Sequence, residues 1–214
     1  MKFQNAEKGI KKIFTAEILG LISSIGFIVM AVLGYLAIGN QADSLYIATA
    51  ICGVATGILM LIGYILNIVG IVNASKDEES FKTSLYIAIF GIVFSFVSGF
   101  LGNAFADNAY LSRILGAIPD VVNLLIMIYI VMGIRNISKL LGNPVMEGKG
   151  QNIMRIVFIM AMIIFAARSL SELVNTNVSE TIAVAMVVFA GILNIVTYVL
   201  YLSYLAKAKK MLAA

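Results

Sequence analysis

Six long stretches of this chain contain no charged residue: 18–42, 44–75, 83–106, 121–134, 156–167 and 181–206. No other feature restricts the fold as much. A bilayer core offers the backbone no water to bond with, so a chain crosses it as a helix of about 20 mostly apolar residues. With their flanks, the six stretches predict spans at about 16–38, 45–73, 83–102, 117–137, 153–173 and 181–206. The expected fold class is all-α: a polytopic membrane protein with six transmembrane helices and a single membrane domain over residues 1–214. The first apolar run is longer than a signal-peptide core and no A-x-A cleavage site follows it, so span one is expected to stay in the protein.

Composition closes off most chemistry. The chain is 61% hydrophobic and 12% charged, with a mean hydropathy of +1.02, which excludes an ordinary soluble domain and a disordered chain. It has no His, no Trp, two Pro and a single Cys, Cys52. A lone Cys cannot form an internal disulfide or a zinc cluster. Without His, the Ser–His and Cys–His nucleophiles and the His-ligated zinc hydrolases are ruled out. There is no G-x-x-x-x-G-K-S/T phosphate loop, no dinucleotide fingerprint and no G-x-S-x-G elbow. Asp120 is the one Asp inside a predicted span, so an aspartyl dyad is excluded too. The expectation is a protein that is not an enzyme, with no cofactor and no metal.

The charges predict orientation. Lys2, Lys8, Lys11 and Lys12 precede span one, and Lys76 and Lys82 lie between spans two and three. Arg135, Lys139, Lys149 and Arg155 flank the connection between spans four and five, and Lys207, Lys209 and Lys210 follow span six. Thirteen of the 15 basic residues therefore fall on one side, with only Arg113 and Arg168 toward the other. Basic residues concentrate on the cytoplasmic side, so both termini are expected to be cytoplasmic. The net charge of +4 is thus a topology signal, and nucleic acid is not an expected partner. The lipid bilayer is one, and anionic lipid at the cytoplasmic face is another candidate, at about 1 kcal/mol per basic residue near the surface. Residues 1–15 read as an amphipathic cytoplasmic lead-in, with Ile10, Ile13 and Phe14 on one face and Lys8, Lys11 and Lys12 elsewhere. Short connections suit a multi-pass protein of a cell membrane, with a bacterial plasma membrane as the expected setting.

The chain also repeats itself. Residues 68–76 read IVGIVNASK and residues 131–139 read VMGIRNISK, so Gly70/Gly133, Ile71/Ile134, Asn73/Asn136, Ser75/Ser138 and Lys76/Lys139 coincide without gaps. The odd spans align more loosely, Lys11, Ile18, Gly20 and Ser24 against Lys82, Ile89, Gly91 and Ser95. Three repeated helical hairpins are expected, at about 10–76, 81–139 and 153–209, each leaving and re-entering on the same side. The P-x-D/E-x-x-R/K signature of the three-hairpin mitochondrial carriers is missing from all three units.

Small residues set helix contacts in lipid, where no hydrophobic drive brings helices together. Span two carries Gly53, Gly63 and Gly70 on one face, with Thr49, Thr56, Met60 and Asn67, and Gly53 and Gly57 form a GxxxG pair. Span three carries Gly91, Ser95 and Gly102, with Ser84, Ala88 and Ser98. These two spans are expected to pack on one another along those faces. Span six presents Asn194, Thr197 and Tyr201, with Ala190 and Tyr204, as a candidate cavity face.

Ionisable groups within a span are functional candidates by default. Arg168 and Glu172 are four apart on span five, and Asp120 lies at a similar depth on span four with Asn123 one turn away. A candidate intramembrane polar site therefore joins Asp120, Asn123, Arg168 and Glu172. The competing reading puts Pro119 at the first helical position and Asp120 in the first turn, with Arg168 snorkelling outward. Glu17 is expected to pair with Lys11, Lys12 or Lys82. Asp77, Glu78 and Glu79 read as a solvated acidic run, and residues 138–152 as a flexible connector containing Leu-Gly-Asn-Pro. Two functions fit: a small transporter or channel, or the membrane subunit of one; or a membrane scaffold or regulatory subunit that binds another protein or a second copy of itself.

Overall fold

The structure is a computed structural model. It describes residues 3–40, 43–104, 109–177 and 180–213, with side chains over 3–39, 43–98, 115–166 and 189–213. Among the described residues the chain forms six α-helices: α1 Gln4–Asn40, α2 Asp43–Ala74, α3 Glu79–Ala104, α4 Ala109–Leu140, α5 Pro144–Asn177 and α6 Glu180–Ala213. All six contain a segment long and apolar enough to cross a membrane. Large apolar side chains such as Ile28, Ile51 and Phe96 are about two-thirds exposed, at 63%, 65% and 67%. Water would not tolerate so continuous an apolar surface, whereas lipid does.

Each helix packs on its chain neighbours, and α6 packs back on α1, so the contacts close a ring. The heaviest seams are α1 on α2, α5 on α6 and α3 on α4; the α2–α3 seam is slight. The best-buried core lies at one end of the bundle, where Phe3 and Leu212 join a single cluster with Ile10, Ile13, Phe81, Ile134 and Ile137. Both chain ends therefore lie at that end, called here the termini end.

This core explains why α1 begins well before the apolar run. Phe3, Ala6, Ile10 and Ile13 recur at steps of three and four and are all buried. The apolar face of residues 1–15 read as a surface lead-in is thus occupied inside the bundle from Phe3 onward, and α1 runs through it without a break.

The two connections at the termini end also differ from the flexible connector and the solvated acidic run expected. α4 stops at Leu140 and α5 starts at Pro144, so residues 144–152 are helical and the connection shrinks to 141–143. Gly142 takes φ 66°, a left-handed conformation that only Gly adopts cheaply. Its N–H donates to the Lys139 carbonyl at 3.1 Å and the Asn143 N–H to the Ser138 carbonyl at 2.9 Å, the paired bonds that close a helix C-terminus. Asn143 then opens α5, its Oδ1 accepting from the Met146 N–H at 3.1 Å, with Pro144 in the position that needs no N–H donor. Leu-Gly-Asn-Pro is a stop followed directly by a start.

The acidic run is built in as well. Asp77 accepts from the Ala6 N–H at 2.7 Å and from Asn5 Nδ2 at 2.9 Å, and so caps the first turn of α1. Glu78 accepts from the Ser80 N–H at 2.8 Å, capping α3, and from Asn136 Nδ2 on α4 at 2.8 Å. A carboxylate at a helix N-terminus meets free N–H groups and the positive end of the dipole. Asp77→Ala is expected to lower stability by about 1–2 kcal/mol, while Glu79→Ala at the exposed neighbour leaves it unchanged. Thermal unfolding of both variants in mild detergent checks this; equal effects would return the run to a solvated patch.

Pro119 does not start a helix. α4 begins ten residues earlier, at Ala109, and carries Pro119 in its interior. Asp120 is therefore not a first-turn residue, and the competing reading of it falls.

Candidate functional site

Where α1, α2 and α6 meet, side chains from all three helices converge on Glu17. Its Oε1 accepts from Asn67 Nδ2 on α2 at 3.0 Å. The Tyr198 hydroxyl on α6 lies 2.9 Å from Oε2 and 2.5 Å from the Glu17 backbone carbonyl oxygen, and donates there. Two glycines, Gly63 and Gly20, lie beside this meeting. A Cβ on Gly63, one turn before Asn67, would lie 3.2 Å from the Ala16 carbonyl oxygen, so α2 runs close enough to α1 for Asn67 to reach. A Cβ on Gly20 would lie 3.4 Å from the Tyr198 hydroxyl, an ordinary contact.

Two of the three lysines expected to neutralise Glu17, Lys11 and Lys82, have other contacts. Lys11 pairs with Glu7 on its own helix at 2.5 Å. Lys82 lies 6.0 Å from the centre of the Tyr86 ring. Lys209 sits over Phe14, 4.7 Å from the ring centre. Among the described residues no Lys or Arg forms an ion pair with Glu17; the pairs found are Lys11–Glu7 and Arg135–Glu147. Glu17 is thus a carboxylate near the termini end of span one whose partners are a neutral amide and a phenol.

Buried polar atoms without a partner among the described residues lie on the same three helices. Asn67 Oδ1 and the hydroxyls of Tyr201 and Tyr204 are buried without a hydrogen-bond partner, as is Ser23 Oγ two turns further along α1. Such groups are rare in folded proteins and are costly. Tyr201 is 1% exposed and lies within electrostatic reach of both Glu17 and Tyr198. The site can hold a proton or a small cation at the carboxylate, with amide and phenol oxygens as further ligands or relays.

The other predicted positions are placed as follows. Asp120 and Asn123 are both on the exposed surface of α4. The side chains of Arg168 and Glu172, on α5, lie outside the described residues, and so does any pairing of Arg168 with Asp120. On α6, Asn194 is exposed, and the buried Thr197 returns its hydroxyl to the Leu193 carbonyl at 2.8 Å. Of that face only Tyr201 joins the Glu17 cluster. Between α3 and α4 an open groove of about 380 Å³ is lined by Tyr86, Phe90, Val122 and Leu125 among others and is almost wholly apolar. It resembles a lipid-facing crevice more than a site.

The small-residue faces meet different helices from those expected. Gly53, Gly63 and Gly70 face α1, where a Cβ would meet Met30, Ala16 and Ile13 respectively. Gly91 faces α4, where a Cβ would lie 2.7 Å from Val122. Gly57 is exposed, with no described atom within 4 Å of its would-be Cβ, so the GxxxG pair makes no contact between the described helices. Ser95 is exposed and bonds back to the Gly91 carbonyl at 2.8 Å; Gly102 lies outside the described side chains. Each stripe serves the other helix of its own consecutive pair because a short connection already brings that helix alongside. The pattern reports a close neighbour without naming it.

Tyr198 had no place in the sequence reading, although Tyr198, Tyr201 and Tyr204 recur every third residue. Steps of four and three hide a strict step of three.

Compared with known proteins, the chain matches no family model, no curated protein and no solved structure.

Proposed function

We propose that the protein is a small transporter or channel, or the membrane subunit of one, which moves an ion or an ion-coupled substrate past Glu17. The observation that carries this reading is a carboxylate inside a span, held by Asn67 and Tyr198, with no basic partner among the described residues. A carboxyl group packed between helices without a counter-ion is costly to ionise, and proteins that keep one in a membrane generally use it to bind a proton, an ion or a substrate group. The lack of His and of any nucleophile motif supports a role without catalysis. The basic residues support cytoplasmic termini, and the short connections support a cell membrane, which we place in a bacterium. The hairpin repeat gains support from Gly70 and Gly133, aligned in sequence. Each stands where α2 crosses α1 or α4 crosses α3, with a Cβ 2.7 Å from Ile13 or 2.6 Å from Phe81.

The scaffold reading has less behind it. It would use exposed helix faces or the cytoplasmic loops, and the two loops offer little for docking. Asp77 and Glu78 are helix caps, and 138–152 is helical except at 141–143.

The test is flux. Purified protein in liposomes is expected to carry H⁺, Na⁺ or K⁺ faster than empty liposomes under an imposed gradient. Fluxes equal to those of empty liposomes for all three ions would overturn the proposal.

A further inference from the structure

We propose that Tyr198, Tyr201 and Tyr204 form a proton ladder along α6, joining Glu17 to the Arg135–Glu147 pair at the termini end. The proposal rests on the reading of Glu17 above and goes further: it names the proton as the species and α6 as its route.

The helix geometry sets the course. Three residues rise about 4.5 Å and stop about 60° short of a full turn. Two such steps therefore descend about 9 Å and swing about 120° around α6. Contacts at the two ends agree with that winding. Tyr198 faces α1 and bonds to Glu17. Tyr201 is buried in the core at the middle of the swing, within electrostatic reach of Glu17 and Tyr198. Tyr204 faces α4 and α5: its hydroxyl occupies the space beside Gly150, where a Cβ would come within 2.5 Å of it and 3.1 Å of Arg135 Cβ. Arg135 Nη2 stands 3.9 Å from Glu147 Oε1, and both side chains are about one-third exposed, at 32% and 30%. The ladder thus runs from a carboxylate within the span to a charged pair open to the surroundings.

The chemistry suits protons. A phenol both accepts and donates a hydrogen bond. A proton leaving the Glu17 carboxyl is accepted by the next oxygen, which releases its own to the one after, until Glu147 hands one to bulk water. Each phenol is unchanged once its hydroxyl has turned back, and Glu17, left ionised, is recharged by a proton from the opposite side of the membrane. The hydroxyls of Tyr201 and Tyr204 are 1% and 2% exposed by residue and have no partner among the described residues. Water bridging successive hydroxyls would satisfy both and complete the relay. A purely structural role explains neither orphan, since Phe would fill the same apolar core without one.

The test uses the full chain in liposomes, with a pH gradient, valinomycin-clamped potential and an internal pH dye. Tyr201→Phe and Tyr204→Phe are each expected to slow proton flux about tenfold or more, with the thermal unfolding midpoint unchanged or raised. If one variant fails to fold, the other decides. Unchanged proton flux in the folded variants, alongside block by Glu17→Gln, would reject the ladder and keep the reading of Glu17. Flux of Na⁺ or K⁺ without protons would do the same. No flux of any ion in the unmodified chain would overturn both.

Discussion

Glu17→Gln is expected to cut ion flux about a hundredfold, the low end of what a positioned proton-transfer group contributes, while leaving the fold intact. The amide keeps the shape of the carboxylate. Its oxygen can accept from Asn67 Nδ2, now 3.0 Å from Oε1, and its nitrogen can donate to the Tyr198 hydroxyl, now 2.9 Å from Oε2. What it cannot do is carry a charge or release a proton. Removing a carboxylate that has no ion-pair partner should leave stability equal or about 1 kcal/mol higher. The two readouts are therefore expected to move apart: flux down, unfolding midpoint level or up. Glu17→Leu is a poorer test. It removes the acceptor from Asn67, and a donor left unpaired costs about 1–3 kcal/mol, while Tyr198 keeps the backbone carbonyl at position 17. Full flux in a folded Glu17→Gln protein would sink the proposal that Glu17 does the work.

How much of this could be read from the chain depended on which solvent a residue meets. Where lipid is the partner, any apolar side chain serves, so runs without charge were enough to locate all six helices. Where protein is the partner, position matters, and the runs say little. Residues 4–16 and 144–152 extend α1 and α5 beyond the apolar stretches because Ile10, Ile13 and Met146 fill a core at the termini end. Gly142, Asn143 and Pro144 hold a stop and a start that turn chemistry foretells, yet next to Glu-Gly-Lys-Gly they read as a loop. Of the site, Glu17 was conspicuous as a charge, Asn67 was visible on a small-residue face and Tyr201 on a polar one. Their meeting was not legible. It depends on α6 closing against α1 across 181 residues of chain, and nothing local to either helix marks that closure. Thr197 shows the opposite failure: a polar residue in a span reads as a cavity group, but a threonine hydroxyl can satisfy itself on its own helix.

Gly70→Val is expected to be the most disruptive single change to the fold, and Gly57→Val on the same helix is its control. A Cβ at Gly70 would lie 2.7 Å from Ile13 Cγ1, 2.8 Å from the Gly9 carbonyl oxygen and 2.9 Å from the Ile13 nitrogen. Two of these atoms belong to the α1 backbone and cannot turn aside as a flexible side chain can. The crossing is tight in both directions, since a Cβ on Gly9 would lie 2.5 Å from the Gly70 carbonyl oxygen and 2.7 Å from the Ala74 nitrogen. Relief requires α1 and α2 to separate, which opens the core at Ile10, Ile13, Ile71 and Ala74, each at most 1% exposed. Overpacking costs about 1–3 kcal/mol where side chains can adjust; against backbone the upper end applies. At about 3 °C per kcal/mol for a chain this size, the unfolding midpoint in mild detergent should fall by about 10 °C. At Gly57 no described atom lies within 4 Å, so Val there has open space and should shift the midpoint by about 1–2 °C at most. A generic intolerance of α2 to β-branched residues would lower both variants alike. The contrast isolates the Gly9–Gly70 crossing, four residues along α1 from Ile13 and one turn further from Glu17, as the contact that sets the spacing at which Asn67 reaches the carboxylate.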